Sequence, residues 1–303
     1  MPTGLLDIES LSRAEIEAIL ASSKSFQPAV GESFKRFDSL RGRTVVNLFF
    51  ESSTRTRTSF EIAGKRLGAD ILSITAAGSS VSKGESLVDT LNTLAAMRPD
   101  AIVMRHSASG APHFLSRYLP VPIVNAGDGT HEHPTQALLD ALTIIDRRGS
   151  LAGLRVAIIG DIAHSRVARS NVFLLSKFGV KVVLCGPASL VPREMGLIAP
   201  GVELTTDIFE AIDNADVIMM LRVQLERQHE AAFPANEYFQ FFGLRPEHME
   251  RAKPDVIVMH PGPINRGREI SSEVADSQRS AILNQVENGI AVRMAVLERV
   301  LTQ

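Results

Sequence analysis

The chain reads as an α/β protein of two domains, each a mostly parallel sheet flanked by helices with ligands bound in the cleft between them. Three observations predict this. Short, continuous apolar runs alternate with helical periodicity from end to end, the pattern of strands buried on both faces by crossover helices. The length, 303 residues, suits about two domains of ordinary size. The alternation occurs in two series, the second starting after Gly153.

The elements follow in order. Leu11-Ser12-Arg13-Ala14-Glu15-Ile16 starts a capped helix that the pattern carries to about residue 25, with Ile16, Ile19 and Leu20 as its buried stripe. Strands are expected at 44–50, 70–74, 101–104 and 123–125, with helices near 54–67, 85–97 and 112–118. The segment 133–148 is helical, carries Leu138, Leu139, Leu142 and Ile145 on one side, and ends at Gly149. Strands resume at 155–159, 181–184, 202–204, 217–221 and 256–259, and 286–301 closes the chain as an amphipathic helix. These elements divide the chain into a first domain at 1–133, a bridging helix at 134–149, a second domain at 150–285, and a C-terminal helix at 286–303 that returns to the first domain.

Composition narrows the function classes. Lys plus Arg number 32 against 34 Asp plus Glu, a net charge of -2, so no electrostatic footprint for nucleic acid or an anionic membrane exists. The one cysteine, Cys185, ends an apolar strand run, as an inert thiol in a reducing compartment does. Met1-Pro2-Thr3-Gly4 shows no basic or apolar leader pattern. A cytoplasmic protein is expected.

Anion chemistry is local. Ser52-Ser53-Thr54-Arg55-Thr56-Arg57-Thr58 follows the first strand and opens a helix, so Ser53 or Thr54 falls at the N-cap and N–H groups point outward. Two cations in that first turn oppose the macrodipole by about 0.3–1 kcal/mol each, a cost a bound phosphate offsets. Gly78-Ser79-Ser80-Val81-Ser82-Lys83-Gly84 is a hydroxyl-rich loop able to bring Lys83 onto a phosphate. Arg105 ends a strand, where its fork can hold an oxyanion. In His131-Glu132-His133-Pro134-Thr135-Gln136, Pro134 suits the first helical position, His133 the cap, and Gln136 lies one turn on. H-x-H without a third ligand at recognisable spacing is a weak metal pattern, and no metal is expected. After Gly160-Asp161 the chain lacks G-x-G-x-x-G, which rejects a dinucleotide. Arg166 at a helix entrance and Arg222 at a strand end, with Gln224 beside it, suit a dicarboxylate. His260-Pro261-Gly262-Pro263 follows the last strand and offers backbone carbonyls to a ligand amine.

Together, and in this order, these motifs resemble the aspartate/ornithine carbamoyltransferase family over essentially the whole chain. Ser-Thr-Arg-Thr-Arg at 53–57 and His-Pro-Thr-Gln at 133–136 carry the resemblance. The His-Cys-Leu-Pro turn and Ser-Met-Gly loop of ornithine enzymes are absent, whereas Lys83-Gly84-Glu85, Arg222-Val223-Gln224 and His260-Pro261-Gly262-Pro263 resemble the aspartate branch. One departure is Gly-Pro-Ile-Asn-Arg-Gly from 262, where many members read Leu-Pro-Arg.

The resemblance implies carbamoyl transfer from carbamoyl phosphate to L-aspartate in pyrimidine biosynthesis, without a cofactor, with ornithine or another amino acid amine as the alternative acceptor. It implies that Ser53, Thr54, Arg55, Thr56 and Arg105 hold the phosphate. Thr56, Arg105 and His133 polarise the carbamoyl oxygen, and Gln136 orients its amino group. Arg166, Arg222 and Gln224 bind aspartate, with the backbone at Gly262 and Pro263 near the amine. It further implies a homotrimer in which Ser79 or Ser80, and Lys83, reach the neighbouring subunit's site, with Lys83 serving both substrates, and it leaves open a regulatory chain or a dihydroorotase-like partner.

Overall fold

The computed structural model describes residues 4–31, 37–75, 86–223 and 235–302. They form two compact units, Met1–Leu142 with Glu287–Gln303, and Thr143–Val286.

In the first unit, α1 (Arg13–Gly31) opens with a complete capping box. Ser12 Oγ accepts the Glu15 N–H at 3.2 Å, and Glu15 Oε2 accepts the Ser12 N–H at 2.9 Å. Its stripe is buried as expected: Ile16, Ile19 and Leu20. The helix outruns the expected end near residue 25 and carries Pro28 inside it, with buried Phe26 continuing the apolar face.

β1 (Thr44–Phe49), α2 (Thr54–Arg66), β2 (Asp70–Thr75), α3 (Leu87–Ala96), β3 (Ala101–His106), α4 (Ala111–Ser116) and β4 (Ile123–Asp128) follow. The four strands are parallel in the order β2-β1-β3-β4. Val46, Leu48, Ile102, Met104 and Ile123 meet Leu91 of α3 and Leu115 of α4 in one core cluster, and each such side chain stabilises by about 1.5–3 kcal/mol on burial. β2 corrects the expectation of burial on both faces: it is the edge strand, and its Leu72 is 56% exposed.

α5 (Pro134–Arg148) crosses from the first unit to the second, the division falling after Leu142, within the helix. It is more deeply enclosed than its one-sided stripe suggested, since every residue from 134 to 144 is buried, including Thr135, Asp140 and Thr143. Gly149 ends it at φ +80°, its N–H reaching the Ile145 carbonyl at 2.8 Å.

The second unit contains β5 (Arg155–Ile159), α6 (Arg166–Ser176), β6 (Lys181–Cys185), β7 (Val202–Thr205), α7 (Ile208–Ile212), β8 (Val217–Met220), α8 (Ala235–Phe242), α9 (Pro246–Met249), β9 (Ile257–Met259) and α10 (Ser272–Ala275). Its strands are also parallel, in the order β7-β6-β5-β8-β9. Ala157, Ile159, Val183, Ile218, Met220 and Val258 form its core with Tyr238 and Phe242 of α8. Cys185 is free and fully buried, and burial pushes its thiol up to about 12, so it is inert.

α11 (Ile282–Thr302) begins in the second unit and from Glu287 belongs to the first. There Arg299 pairs with Glu15 at 2.9 Å, and Gln27 donates to Asn288 at 2.9 Å. Among the described residues no helix is long and apolar enough to cross a membrane.

Gly160, directly after β5, sits at φ +148°, and a Cβ there would lie 2.7 Å from the Leu221 Cβ and 3.0 Å from its carbonyl. The strand ends of β5 and β8 therefore approach closely only because residue 160 has no side chain. Gly160→Ala is expected to cost about 2–4 kcal/mol through backbone strain and overpacking, read as a lower thermal midpoint. An unchanged midpoint contradicts that close approach.

Candidate active site

In each parallel sheet the strand order reverses once, between β1 and β3 in the first unit and between β5 and β8 in the second. Crossovers leave such a pair in opposite directions, opening a crevice at the carboxyl ends where ligands bind. Of the residues singled out from sequence, Ser53–Thr56 and Arg105 follow β1 and β3, and Arg166 and Arg222 follow β5 and β8.

In the first unit, β1 runs into Ser53, which stands at the N-cap of α2 with φ −158° and ψ 86° but makes no side-chain cap bond. This corrects the expected hydroxyl cap. The leading N–H groups of a helix have no carbonyl partner within it, and this first turn holds no acidic residue, so the helix start is built to receive an anion. Thr54 and Arg55 are exposed at this start, while Thr56 is buried. Arg57 lies 3.7 Å from Glu61, one turn further on.

Arg105, at the end of β3, has its side chain 13% exposed and its Nε 3.2 Å from Glu51 Oε2. Its Nη1 donates to the Ala126 carbonyl of β4 at 3.1 Å, and its own carbonyl accepts the Phe50 N–H at 2.9 Å. One guanidinium is thus tied to the chain leaving β1 and to β4, a hold that fixes the direction of its fork.

After β4 the chain turns through Gly129 and returns to make an antiparallel bridge between Asp128 and Glu132. Asp128 is fully buried and accepts N–H bonds from Gly110 at 2.6 Å, Asn125 at 2.8 Å and Glu132 at 3.1 Å. Its Oδ2 also lies 3.1 Å from Nδ1 of His131. Glu132 accepts the N–H groups of Ile8 and Glu9 at 3.0 and 3.2 Å. His133, 4% exposed, then stands at the cap of α5, its carbonyl accepting the Gln136 N–H at 2.9 Å. Gln136 is 7% exposed.

The residues of the H-x-H segment therefore divide their work. His131, not Glu132 or His133, comes together with Asp128 and His113, their ligand atoms within 4.8 Å of one another. The Asp128 oxygens are engaged by N–H donors, which makes this cluster a brace for the loop that delivers His133. Burial opposes ionisation of Asp128, but hydrogen bonds from His131, Asn125 and Gly110 hold it below the usual carboxylate range. The Asp128 hydrogen bond raises His131 above its ordinary value.

In the second unit, Ser165 caps α6, its Oγ accepting the Ala168 N–H at 3.1 Å, and Arg166 follows as the first helical residue, 5% exposed. Asp161, fully buried, accepts the His164 N–H at 3.2 Å. Arg222 follows β8, whose continuation is fixed by the Leu221 N–H bonding the Ile159 carbonyl at 2.8 Å. Arg166 and Arg222 so flank the strand reversal as Arg55 and Arg105 do in the first unit. Beyond β9, Gly262 adopts φ +69° and the Gly262-Pro263 bond is cis. His260 holds this turn: its Nδ1 accepts the Gly262 N–H at 2.8 Å and its Nε2 lies 3.2 Å from buried Glu269.

Ser79, Ser80, Lys83 and Gln224 lie outside the described residues. Sequence reasoning missed Glu51, Asp128, Glu132, Asp140 and the His260–Glu269 pair. Of these only Asp140 has a local signal, one helical turn after Gln136 on the same face.

Comparison with known proteins bears on this arrangement. Residues 4–146 match the family model described as aspartate/ornithine carbamoyltransferase, carbamoyl-P binding domain, and residues 152–300 match the Asp/Orn binding domain of the same family. The chain is 78% identical over 301 residues to the aspartate carbamoyltransferase catalytic subunit of Solibacter usitatus, covering 99% of this chain and 100% of the relative. It is 56% identical to that of Syntrophotalea carbinolica, covering 97% and 93%. Among solved structures, aspartate transcarbamoylase from Trypanosoma cruzi in complex with N-(phosphonacetyl)-L-aspartic acid superposes with a TM-score of 0.90 at 35% identity, covering 99% and 96%. Ornithine carbamoyltransferase from Pyrococcus furiosus gives a TM-score of 0.87 at 31% identity, covering 98% and 96%.

The loop brace has a pH signature. Because the folded-state value of His131 is raised from 6.5, its stabilisation is complete below that value and is lost as pH rises through the raised one. His131→Gln is therefore expected to lower the thermal midpoint more at about pH 5.5 than at about pH 9. An equal deficit at both would mean that the pairing with Asp128 carries no charge.

Proposed function

Because the chain belongs to the aspartate/ornithine carbamoyltransferase family, we propose that it transfers the carbamoyl group of carbamoyl phosphate to the amine of L-aspartate. The products are N-carbamoyl-L-aspartate and phosphate, a step of de novo pyrimidine synthesis. The observation that carries the choice of acceptor is the pair Arg166 and Arg222 at the β5/β8 reversal. Two guanidinium forks suit the two carboxylates of aspartate, whereas ornithine brings one carboxylate and a second cation. High identity to aspartate carbamoyltransferase catalytic subunits supports the same choice, since ornithine and aspartate enzymes share the fold about equally well.

In this reading the first unit holds carbamoyl phosphate. The phosphate lies on the start of α2, with Ser53, Thr54, Arg55, Thr56 and Arg105 as donors. Thr56, Arg105 and His133 face the carbamoyl oxygen, and Gln136 faces its amino group. The neutral aspartate amine attacks the carbamoyl carbon and charge builds on the oxygen. A preorganised donor at such an oxygen typically contributes about 3–4 kcal/mol to the transition state. The new C–N bond forms, the bond from carbon to the phosphate oxygen breaks with its electron pair on phosphate, and the amine proton passes to the departing phosphate. No protein nucleophile and no cofactor enters the balance, so positioning and electrostatics carry the acceleration. Arg166, Arg222 and Gln224 orient aspartate, and backbone carbonyls near Gly262 and Pro263 accept its amine protons.

The reading extends to a homotrimer in which Ser79 or Ser80, and Lys83, serve a neighbouring site, supported by family membership. It also extends to a cytoplasmic location, supported by the buried free thiol of Cys185.

Steady-state assays with carbamoyl phosphate and either aspartate or ornithine test the acceptor: turnover of aspartate is expected, and preferential turnover of ornithine overturns the assignment. Arg55→Ala should abolish turnover with the fold intact, and near-normal kcat at saturating carbamoyl phosphate would remove Arg55 from the phosphate site. Arg222→Ala should lose about 2–5 kcal/mol in kcat/KM for aspartate while carbamoyl phosphate binding persists.

A further inference from the structure

Gln136 donates from Nε2 to Oδ1 of Asp140 at 2.9 Å. A carboxylate offers only acceptors to that contact, so the amide must present nitrogen to Asp140 and its carbonyl oxygen to the opposite side. Both side chains are enclosed, Gln136 at 7% and Asp140 at 0% exposure. A buried carboxylate persists as an anion only beside compensating charge, and α11 supplies it in Arg293, itself 4% exposed. Burial pushes that guanidinium down to about 10, with Asp140 acting in the other direction. Arg293 Nη1 donates to Ser59 Oγ and to the Gly289 carbonyl, both at 2.9 Å, and its guanidinium lies 5.2 Å from the Phe60 ring centroid. Ser59 and Phe60 belong to α2, the helix whose start carries the phosphate motif. Arg293 is thus hydrogen-bonded to the helix bearing Arg55, with the charge of Asp140 on the helix bearing Gln136 acting on it electrostatically.

We propose that Asp140 is a positioning residue for substrate selection: it locks the Gln136 amide with its oxygen toward the ligand, so that the site accepts a carbonyl carbon bearing an N–H donor over one bearing a methyl group. Arg293 is the counter-charge that holds Asp140 in place. This deepens the functional reading above and rests on carbamoyl phosphate binding to the first unit. With Asp140 removed, the amide is free to turn its NH2 toward the ligand, where it opposes the ligand's own N–H group and tolerates a methyl group.

Two stable probes separate this from a structural role: phosphonoacetamide, which carries the amino group, and 2-oxopropylphosphonate, which carries a methyl group in its place. Titration calorimetry on the full chain gives the affinity ratio. The wild-type protein should prefer the amide. Asp140→Leu combined with Arg293→Met removes both charges at once and so leaves no buried unpaired ion. It should lower the preference about tenfold, the worth of one buried hydrogen bond, while affinity for the methyl probe stays near wild type. Asp140→Asn keeps an acceptor for Gln136 and should retain most of the preference. A double variant with the wild-type ratio overturns the proposal, as does one that loses affinity for both probes equally, because that marks a merely structural pair. An Asp140→Asn chain that loses the preference as fully as the double variant also overturns it. A wild-type chain that binds neither probe contradicts the carbamoyl phosphate reading itself, and this proposal with it.

Discussion

A parallel strand has to be followed by a crossover, and where two crossovers leave adjacent strands in opposite directions nothing covers the carboxyl ends between them. The chemistry of this protein depends on that constraint, applied twice. In the first sheet it exposes the ends of β1 and β3, and there stand the α2 start and Arg105. In the second it exposes the ends of β5 and β8, and there stand Arg166 and Arg222. The closeness of these ends has its own requirement, met at Gly160, where any side chain collides with Leu221.

The two helix starts beside these reversals are finished differently. Ser165 spends its hydroxyl on the Ala168 N–H, so α6 is capped from within and Arg166 is left as the functional group. Ser53 occupies the same position in α2 and makes no such bond. The Arg57 contact with Glu61 at that start, at 3.7 Å and partly exposed, belongs to a class worth about 0–1 kcal/mol. In the functional reading a phosphate dianion satisfies the N–H groups and the guanidinium groups together, which is why the local conflict in the sequence is also its most informative feature. Glu51 Oε2, 3.2 Å from Arg105 Nε, holds the guanidinium, and this contact keeps the fork aligned with the strand ends.

Most of the fold was legible because strands buried on both faces leave continuous apolar runs, as at β1, β3, β5 and β8. It was less legible at the margins for the same reason: β2 lies at an edge and needs no second apolar face, so its Leu72 is exposed. Helix α1 passes Pro28 because Phe26 still packs, a tertiary effect that local breaker signals do not contain. Within the site, the residues that touch ligand in the functional reading form compact motifs, whereas their supports do not. Glu132 anchors Ile8 and Glu9, and Arg293 reaches Ser59, contacts between distant stretches of chain that periodicity cannot register. By spacing alone Asp140 is one more polar residue on an amphipathic helix, and only its enclosure, at 0% exposure, sets its charge apart.

The central claim is that the open start of α2 is the phosphate site. A crystal structure of the protein bound to N-(phosphonacetyl)-L-aspartic acid tests it most directly. The account predicts the phosphonate oxygens within hydrogen-bond distance of the leading N–H groups of α2 and of the Arg105 guanidinium, with the aspartate carboxylates at Arg166 and Arg222. A phosphonate seated at the start of α6, with α2 unoccupied, would contradict it.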